Sequence, residues 1–379
     1  MKILIVSNNY YLRGNGVCTA VQALKSRLTE KGIDVRVLAC ENSEGGCAQP
    51  DYPLKHFKFP IFEPIIQANG YRYPQVDKAV IRKAVEWADV IHLMEGFPLQ
   101  STTARIASKM GKPCVGTYHI FTDNITANLE IGYDTFVNRL INKWWSKTVY
   151  NHCTSVQCPT ATVKEHLEKN GYTSDLKVIT NGIELCAPVE SDISCVSEPY
   201  RILCTGRLSN EKSQITLLEA MVHSRHASKI ELHFAGNGPK ANKIKKAARK
   251  LYEKGILAHK PVFGFYTPEE LRKLAASSYL YIHCAIVEVE GLSCLEAIQQ
   301  GTVPIIAESK LSATSQFALD KRSLFTVRRP KELAEKIDWW IEHPDERLEM
   351  GRKYSESVKR YDAAYSTAKI IEMYEEAIG

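Results

Sequence analysis

Short apolar runs alternate with stretches in which apolar residues recur three or four positions apart, and this alternation continues through nearly the whole chain. The runs at 3–6, 34–39, 90–93, 114–118, 155–158 and 177–179 read as strands. Between the first two, Val17, Val21, Leu24 and Leu28 repeat at helical spacing, and Gly32 supplies the stop. A second series of strands follows at 200–206, 230–235, 261–264, 279–285 and 303–307, and helical patterns at 330–359 and 363–377 close the chain. Strands that alternate with amphipathic helices predict parallel sheets with crossover helices, an α/β class. Because the second series repeats the first, the expected architecture is two Rossmann-like lobes facing a central cleft. A polar stretch with Pro188, Ser191, Asp192, Ser194 and Pro199 marks the linker. The expected division is a lobe at 1–186, a linker at 187–199, a second lobe at 200–360, and a final helix at 361–379 returning to the first lobe. A length of 379 residues agrees with two cores.

Composition narrows the classes. Hydrophobic residues make up 44% and charged residues 24% of the chain, the balance of a globular protein. The net charge of +6 is mild and dispersed, so nucleic acid is not an expected partner. Eleven cysteines are scattered without paired spacing, which predicts structural thiols in a reducing cytoplasm and no metal site. The first residues read as a strand rather than a leader peptide, and no apolar run approaches the roughly 20 residues that cross a bilayer.

In sheets of this kind ligands bind beyond the carboxyl ends of the strands, so chemistry is sought in the loops that follow them. After the first strand, Tyr11-Leu12-Arg13-Gly14-Asn15-Gly16-Val17 opens a helix whose first N–H groups are candidates to receive a phosphate, a plain strand-to-helix turn being the alternative. Thr19 stands where a dinucleotide fingerprint needs its third glycine, which disfavours a nicotinamide cofactor. His119 ends another strand, either at the cleft or as a structural histidine. In the second half, Gly206-Arg207-Leu208-Ser209-Asn210-Glu211-Lys212 places a guanidinium and an ammonium where they can neutralise a diphosphate. Gly236 is expected to let backbone approach a ligand. The run from Glu288 to Ala297 offers Glu288 and Glu296 to sugar and ribose hydroxyls, and the N–H groups of Gly291, Leu292, Ser293 and Cys294 to the phosphate between them. Glu290 is a rival carboxylate, read first as a helix-start acid.

Taken in order, these residues resemble the glycosyltransferase family 4 pattern with the GT-B fold. Glu288 and Glu296 match its E-x7-E motif, 206–212 its G-R-L-x-x-E-K turn, and Asn181-Gly182-Ile183 its N-G-I/V turn. The paired glycines usual in the first loop are split here by Asn15. The resemblance implies an acceptor-binding first lobe and a donor-binding second lobe. It further implies retaining transfer of a hexose from a nucleotide diphosphate sugar, usually a UDP-sugar such as UDP-glucose or UDP-galactose, with neither cofactor nor metal. Arg207 and Lys212 would hold the diphosphate and Glu288 the sugar hydroxyls. Glu296 would hold the ribose, His119 the sugar near its reacting carbon, and Gly14 and Gly16 would approach the phosphate. No nucleophile is assigned. A nucleotide-sugar epimerase and a non-catalytic sugar-binding protein are the readings from other classes.

For the acceptor there are two readings: a membrane lipid such as a diacylglycerol or ceramide, taken first, and a polysaccharide or polyprenyl-linked oligosaccharide. Lys143, Trp144, Trp145 and Lys147 suit an anionic membrane interface, as does the segment at 55–66 with Phe57, Phe59, Phe62 and Ile65. Against this, Phe136, Leu140 and Trp144 fall at helical spacing, which favours burial in the core. The lysines of 240–254 read as a solvated face opposite Ile244, Ala248 and Leu251.

Overall fold

The computed structural model describes residues 1–12, 14–42, 49–61, 63–189 and 197–379. Arg13, Phe62, Ser191, Asp192 and Ser194 of the motifs above lie outside the described residues. The chain packs as two compact units, Met1–Asn181 with Ala363–Gly379, and Gly182–Asp362.

In the first unit the strands are β1 (Lys2–Val6), β2 (Asp34–Cys40), β3 (Tyr52–Leu54), β4 (His56–Phe57), β5 (Tyr73–Pro74), β6 (Val90–Leu93), β7 (Cys114–Thr117), β8 (Ser155–Cys158) and β9 (Asp175–Val178). Its helices are α1 (Gly16–Glu30), α2 (Glu63–Ala68), α3 (Lys78–Trp87), α4 (Pro98–Lys109), α5 (Thr122–Asn128), α6 (Phe136–Thr148) and α7 (Ala161–Lys169). Among the described residues the main sheet runs β3-β2-β1-β6-β7-β8-β9, every pairing parallel, while β4 and β5 form a separate antiparallel pair. Ile3, Leu4, Ile5 and Val6 are all fully buried, which explains why β1 reads as an unbroken apolar run: helices cover both faces of a parallel sheet.

The second unit holds β10 (Tyr200–Thr205), β11 (Ile230–Ala235), β12 (Val262–Gly264), β13 (Leu280–His283), β14 (Val287–Glu288), β15 (Val303–Glu308), β16 (Leu311–Ser312) and β17 (Leu324–Thr326). With them run α8 (Ile215–Met221), α9 (Ala241–Glu253), α10 (Pro268–Ala276), α11 (Leu292–Gln299), α12 (Pro330–Glu342) and α13 (Pro344–Ser357). The sheet order is β12-β11-β10-β13-β15-β17, again parallel, with β14 and β16 paired beside it. α14 (Ala363–Ile378) packs in the first unit, where Ile370, Met373 and Tyr374 join the core of β1, β2 and α1.

In each sheet the first strand has later strands on both sides. That makes the carboxyl edges of β1 and β6, and of β10 and β13, the switch points at which α/β sheets receive ligands. The predicted strands are present to within a few residues, and β3 and β17 extend the two sheets beyond the predicted set. Among the described residues no helix is long and apolar enough to cross a membrane.

α6 reverses the expected orientation. Its buried positions are Asn138, Asn142, Trp145 and Ser146. Phe136 is 69% exposed, Leu140 50% and Trp144 40%, so the stripe read as core faces outward. Trp145, read as a candidate interface residue beside Trp144, is only 1% exposed and belongs to the interior. Its indole occupies the space where any side chain on Gly96 would stand, and it packs edge-on against Phe97 and Tyr118. α9 does follow expectation, burying Ala241, Ile244 and Ala248 with its lysines outward.

Candidate active site

The rim beyond β10 is built by two loops joined along their backbones. Leu208 donates its N–H to the Asn237 carbonyl at 3.0 Å, and Lys240 donates to the Leu208 carbonyl at 2.9 Å. Gly206 and Gly236 permit this closeness: both have positive φ, and a side chain on Gly236 would strike the Gly206 carbonyl. Their own N–H groups donate to the Ala235 and Gly264 carbonyls at 2.9 and 2.8 Å. The Gly236 N–H is thus used within the protein, and the missing side chain lets the two loops pack.

This frame fixes the cations. The Arg207 carbonyl accepts from the Gln214 carboxamide at 2.8 Å, and its guanidinium donates to the Glu211 carboxylate at 2.9 Å. Glu211 is fully buried, and its backbone carbonyl accepts the Ile286 N–H at 2.7 Å, tying the loop after β10 to the one after β13. Lys212 makes an ion pair with Glu288 at the end of β14. His283, at the end of β13, brings Nε2 to 3.6 Å from the same carboxylate. Burial opposes ionisation of Glu288, but Lys212, His283 and Arg207 outweigh it and hold its carboxyl below the usual range. Burial moves His283 the other way, to about 4, so its ring is neutral at neutral pH. Glu290, the rival carboxylate, is buried.

Gly291 caps α11 in the left-handed region at φ 90°, and a Cβ there would lie 2.5 Å from the Thr314 hydroxyl oxygen. The Cys294 N–H is taken by the Gly291 carbonyl at 2.8 Å, so contrary to expectation it is not among the N–H groups offered to a phosphate. Leu292 and Ser293 form the first turn, and the Ser293 hydroxyl meets the Tyr281 hydroxyl at 3.1 Å, which in turn lies 2.7 Å from Thr205. That chain registers α11 against β10 and β13. Glu296 follows one turn on. Desolvation by the surrounding protein raises its carboxyl to about 7 against the pull of Arg272, although the residue is exposed at the surface.

The first unit carries its own rim. Asn15, the N-cap of α1, accepts the Val17 and Cys18 N–H groups at 3.0 and 3.2 Å on its side-chain oxygen. Two donors expected to await a phosphate are thus satisfied by the chain itself, which accounts for an asparagine between Gly14 and Gly16. Gly16 is exposed, and an added Cβ would meet nothing within 4 Å. His119 lies half-buried just beyond β7, its Nε2 without a partner among the described residues, and burial lowers its pKa to about 4.

Two groups escaped the sequence reading. Glu95, just past β6, is buried, accepts the Asn8 N–H at 2.6 Å and the Tyr71 hydroxyl, and is raised above the ordinary carboxylate range by burial. Beside it the side-chain amide of Asn8 is fully buried with no hydrogen-bond partner among the described residues. The loops-after-strands rule would have found both, being the positions that follow β6 and β1. Glu211 stood inside the quoted turn without a role.

The structure brings Arg207, Lys212 and Glu288 together, with Gly206, Gly236 and Gly291 shaping their loops. It sets Gly14, Gly16 and His119 in the other unit. Residues 14–186 match the model described as Glycosyltransferase Family 4, and residues 192–357 the one described as Glycosyl transferases group 1. An alpha-monoglucosyldiacylglycerol synthase from Streptococcus pneumoniae is 23% identical over 81% of this chain and 71% of its own. The crystal structure of Anabaena Alr3699/HepE in complex with UDP-glucose superposes with a TM-score of 0.74 at 17% identity, covering 99% of this chain and all of that one. The crystal structure of the catalytic domain of cholesterol-alpha-glucosyltransferase from Helicobacter pylori is 45% identical over 43% of this chain and 99% of its own, with a TM-score of 0.41. The chain belongs to the glycosyltransferases of the family 4 type and has the GT-B fold.

Proposed function

We propose that this glycosyltransferase moves a hexose, with retention, from a UDP-sugar such as UDP-glucose or UDP-galactose to a hydroxyl of a membrane lipid. The observation that carries the donor half is the convergence of Arg207, Lys212 and Glu288 at the β10–β13 switch point. A diphosphate presents its charge to Arg207, which forks two oxygens, and competes with Glu288 for the Lys212 ammonium. Glu288, relieved of its partner, accepts hydrogen bonds from the sugar hydroxyls, and Glu296 accepts them from the ribose. Negative charge grows on the departing UDP as the glycosidic bond breaks, so the two cations stabilise the transition state more than the ground state and stand in for a divalent metal. The acceptor attacks from the face the leaving group departs, and a phosphate oxygen takes its proton. His119, Gly14 and Gly16 are assigned to the donor from the first unit. The acceptor half draws support from the relative named as a diacylglycerol glycosylating enzyme and from the outward apolar face of α6. The enzyme is then a cytoplasmic protein that works peripherally at an anionic membrane surface.

The test is transfer assayed with candidate nucleotide sugars against diacylglycerol, ceramide and oligosaccharide acceptors, with the product anomer read by NMR. A lipid α-hexoside from an α-linked donor is expected. Inversion would remove the retaining assignment, and oligosaccharide as the only glycosylated acceptor would remove the lipid.

A further inference from the structure

We infer that the outward face of α6 is the surface by which this protein docks on an anionic phospholipid bilayer, with Phe136, Leu140 and Trp144 entering the interface and Arg139, Lys143 and Lys147 meeting headgroups. The inference deepens the lipid-acceptor reading and rests on it for its purpose, though not for its geometry.

The helix is held with its polar side inward. Asn138 donates to the Thr122 and Thr126 hydroxyls at 3.2 and 2.9 Å and accepts from the Thr135 N–H at 2.9 Å. Asn142 accepts from the Tyr118 and Tyr172 hydroxyls, both at 3.3 Å, and donates to Thr122 at 3.3 Å. Trp145 fills the space over Gly96. Turning the helix to bury its apolar stripe would strand two hydrogen-bonded carboxamides and an indole, so the stripe is presented permanently. Phe136, Leu140 and Trp144 follow at four-residue spacing with Val137 beside them, and Leu129 and Ile131 in the segment joining α5 to α6 are exposed as well.

The charge on α6 says what covers this face. The helix has three basic residues and no acidic one, and Arg139, Lys143 and Lys147 are exposed and take part in no ion pair among the described residues. Glu130 and Asp134 precede the helix and are the acidic groups of its approach. Apolar side chains, a tryptophan and unpaired cations on one exposed surface are the features of an interfacial helix drawn to anionic lipid. Against a protein partner or a second copy, the same cations would need carboxylates opposite them, and α6 itself supplies none.

Flotation of the full-length protein, without donor, on phosphatidylcholine vesicles with and without phosphatidylglycerol tests this. Wild type is expected to float with the anionic vesicles, less so at high salt, and to stay behind with the neutral ones. The combined variant Phe136→Ser, Leu140→Ser, Trp144→Ser, and separately Lys143→Glu with Lys147→Glu, should each weaken binding at least about tenfold while thermal unfolding is retained. Wild type that ignores anionic vesicles, variants that float as wild type does, or a wild-type dimer that the serine variant dissolves without change in flotation would each overturn the proposal. Transfer to detergent-dispersed lipid is measured alongside. If that fails while flotation succeeds, the acceptor reading falls and the docking surface stands.

Discussion

Arg207 and Lys212 are each held by a carboxylate, Glu211 and Glu288 respectively. Both side chains carry roughly 2 kcal/mol of rotamer entropy, and ordering them before the donor binds removes part of that cost from the binding step. The turn motif made the two cations legible in the sequence. It did not show that Glu211 orients one of them, because a buried carboxylate and a solvated one look alike as letters. Asn15 was legible only as an interruption between glycines, and its role as a cap depends on coordinates. Glu296 yields a pH prediction: with its carboxyl near 7, protonation as pH falls removes an acceptor for the ribose hydroxyls. The KM for the donor should therefore rise as pH is lowered from about 8 to 6, and Glu296→Gln should show a high KM that no longer varies over that range. An unchanged profile in the variant would detach Glu296 from the donor.

Elements were read well where one face meets a core and poorly where it does not. Periodicity placed α1, α9 and α14 because their apolar stripes face inward. In α6 the same period exists, but Asn138, Asn142 and Trp145 form the inward face and the apolar stripe the outward one; periodicity reports that a stripe exists, not which side of it is wet. The docking of α14 rests on more than its stripe. The His92 ring bridges the Tyr374 and Thr117 hydroxyls, at 2.7 Å each, and Thr117 passes the chain to Gln157 at 2.7 Å, all of it buried. Burial, seconded by His119, lowers the His92 pKa to about 3, so its ring remains a neutral connector. Tyr374→Phe leaves a buried ring nitrogen unpaired and should cost about 1–3 kcal/mol in urea unfolding. A loss under about 0.5 kcal/mol, typical of an indifferent surface change, would mean that the histidine carries no share of this docking.

Across the whole molecule one arrangement recurs in both units: a first strand flanked on both sides by later ones, and ligand-capable side chains where the strand order reverses. In the first unit those are Asn8 and Glu95, in the second Arg207, Lys212, His283 and Glu288. The alternation of apolar runs and helical stretches sufficed to predict the parallel sheets and the loops worth searching. β3 and β17 escaped that reading because Pro53 interrupts the first and charged residues flank the second, Asp320, Lys321 and Arg322 before it and Arg328 and Arg329 after it. The central claim is that the rim of the second unit grips a sugar-linked diphosphate, and calorimetric titration of the full-length protein with UDP tests it most directly. Wild type is expected to bind, and Arg207→Ala with Lys212→Ala, if its circular dichroism is unchanged, to bind at least about a hundredfold more weakly, each charge-assisted contact being worth about 1.5–3 kcal/mol. Equal affinity in the folded double variant would contradict the account.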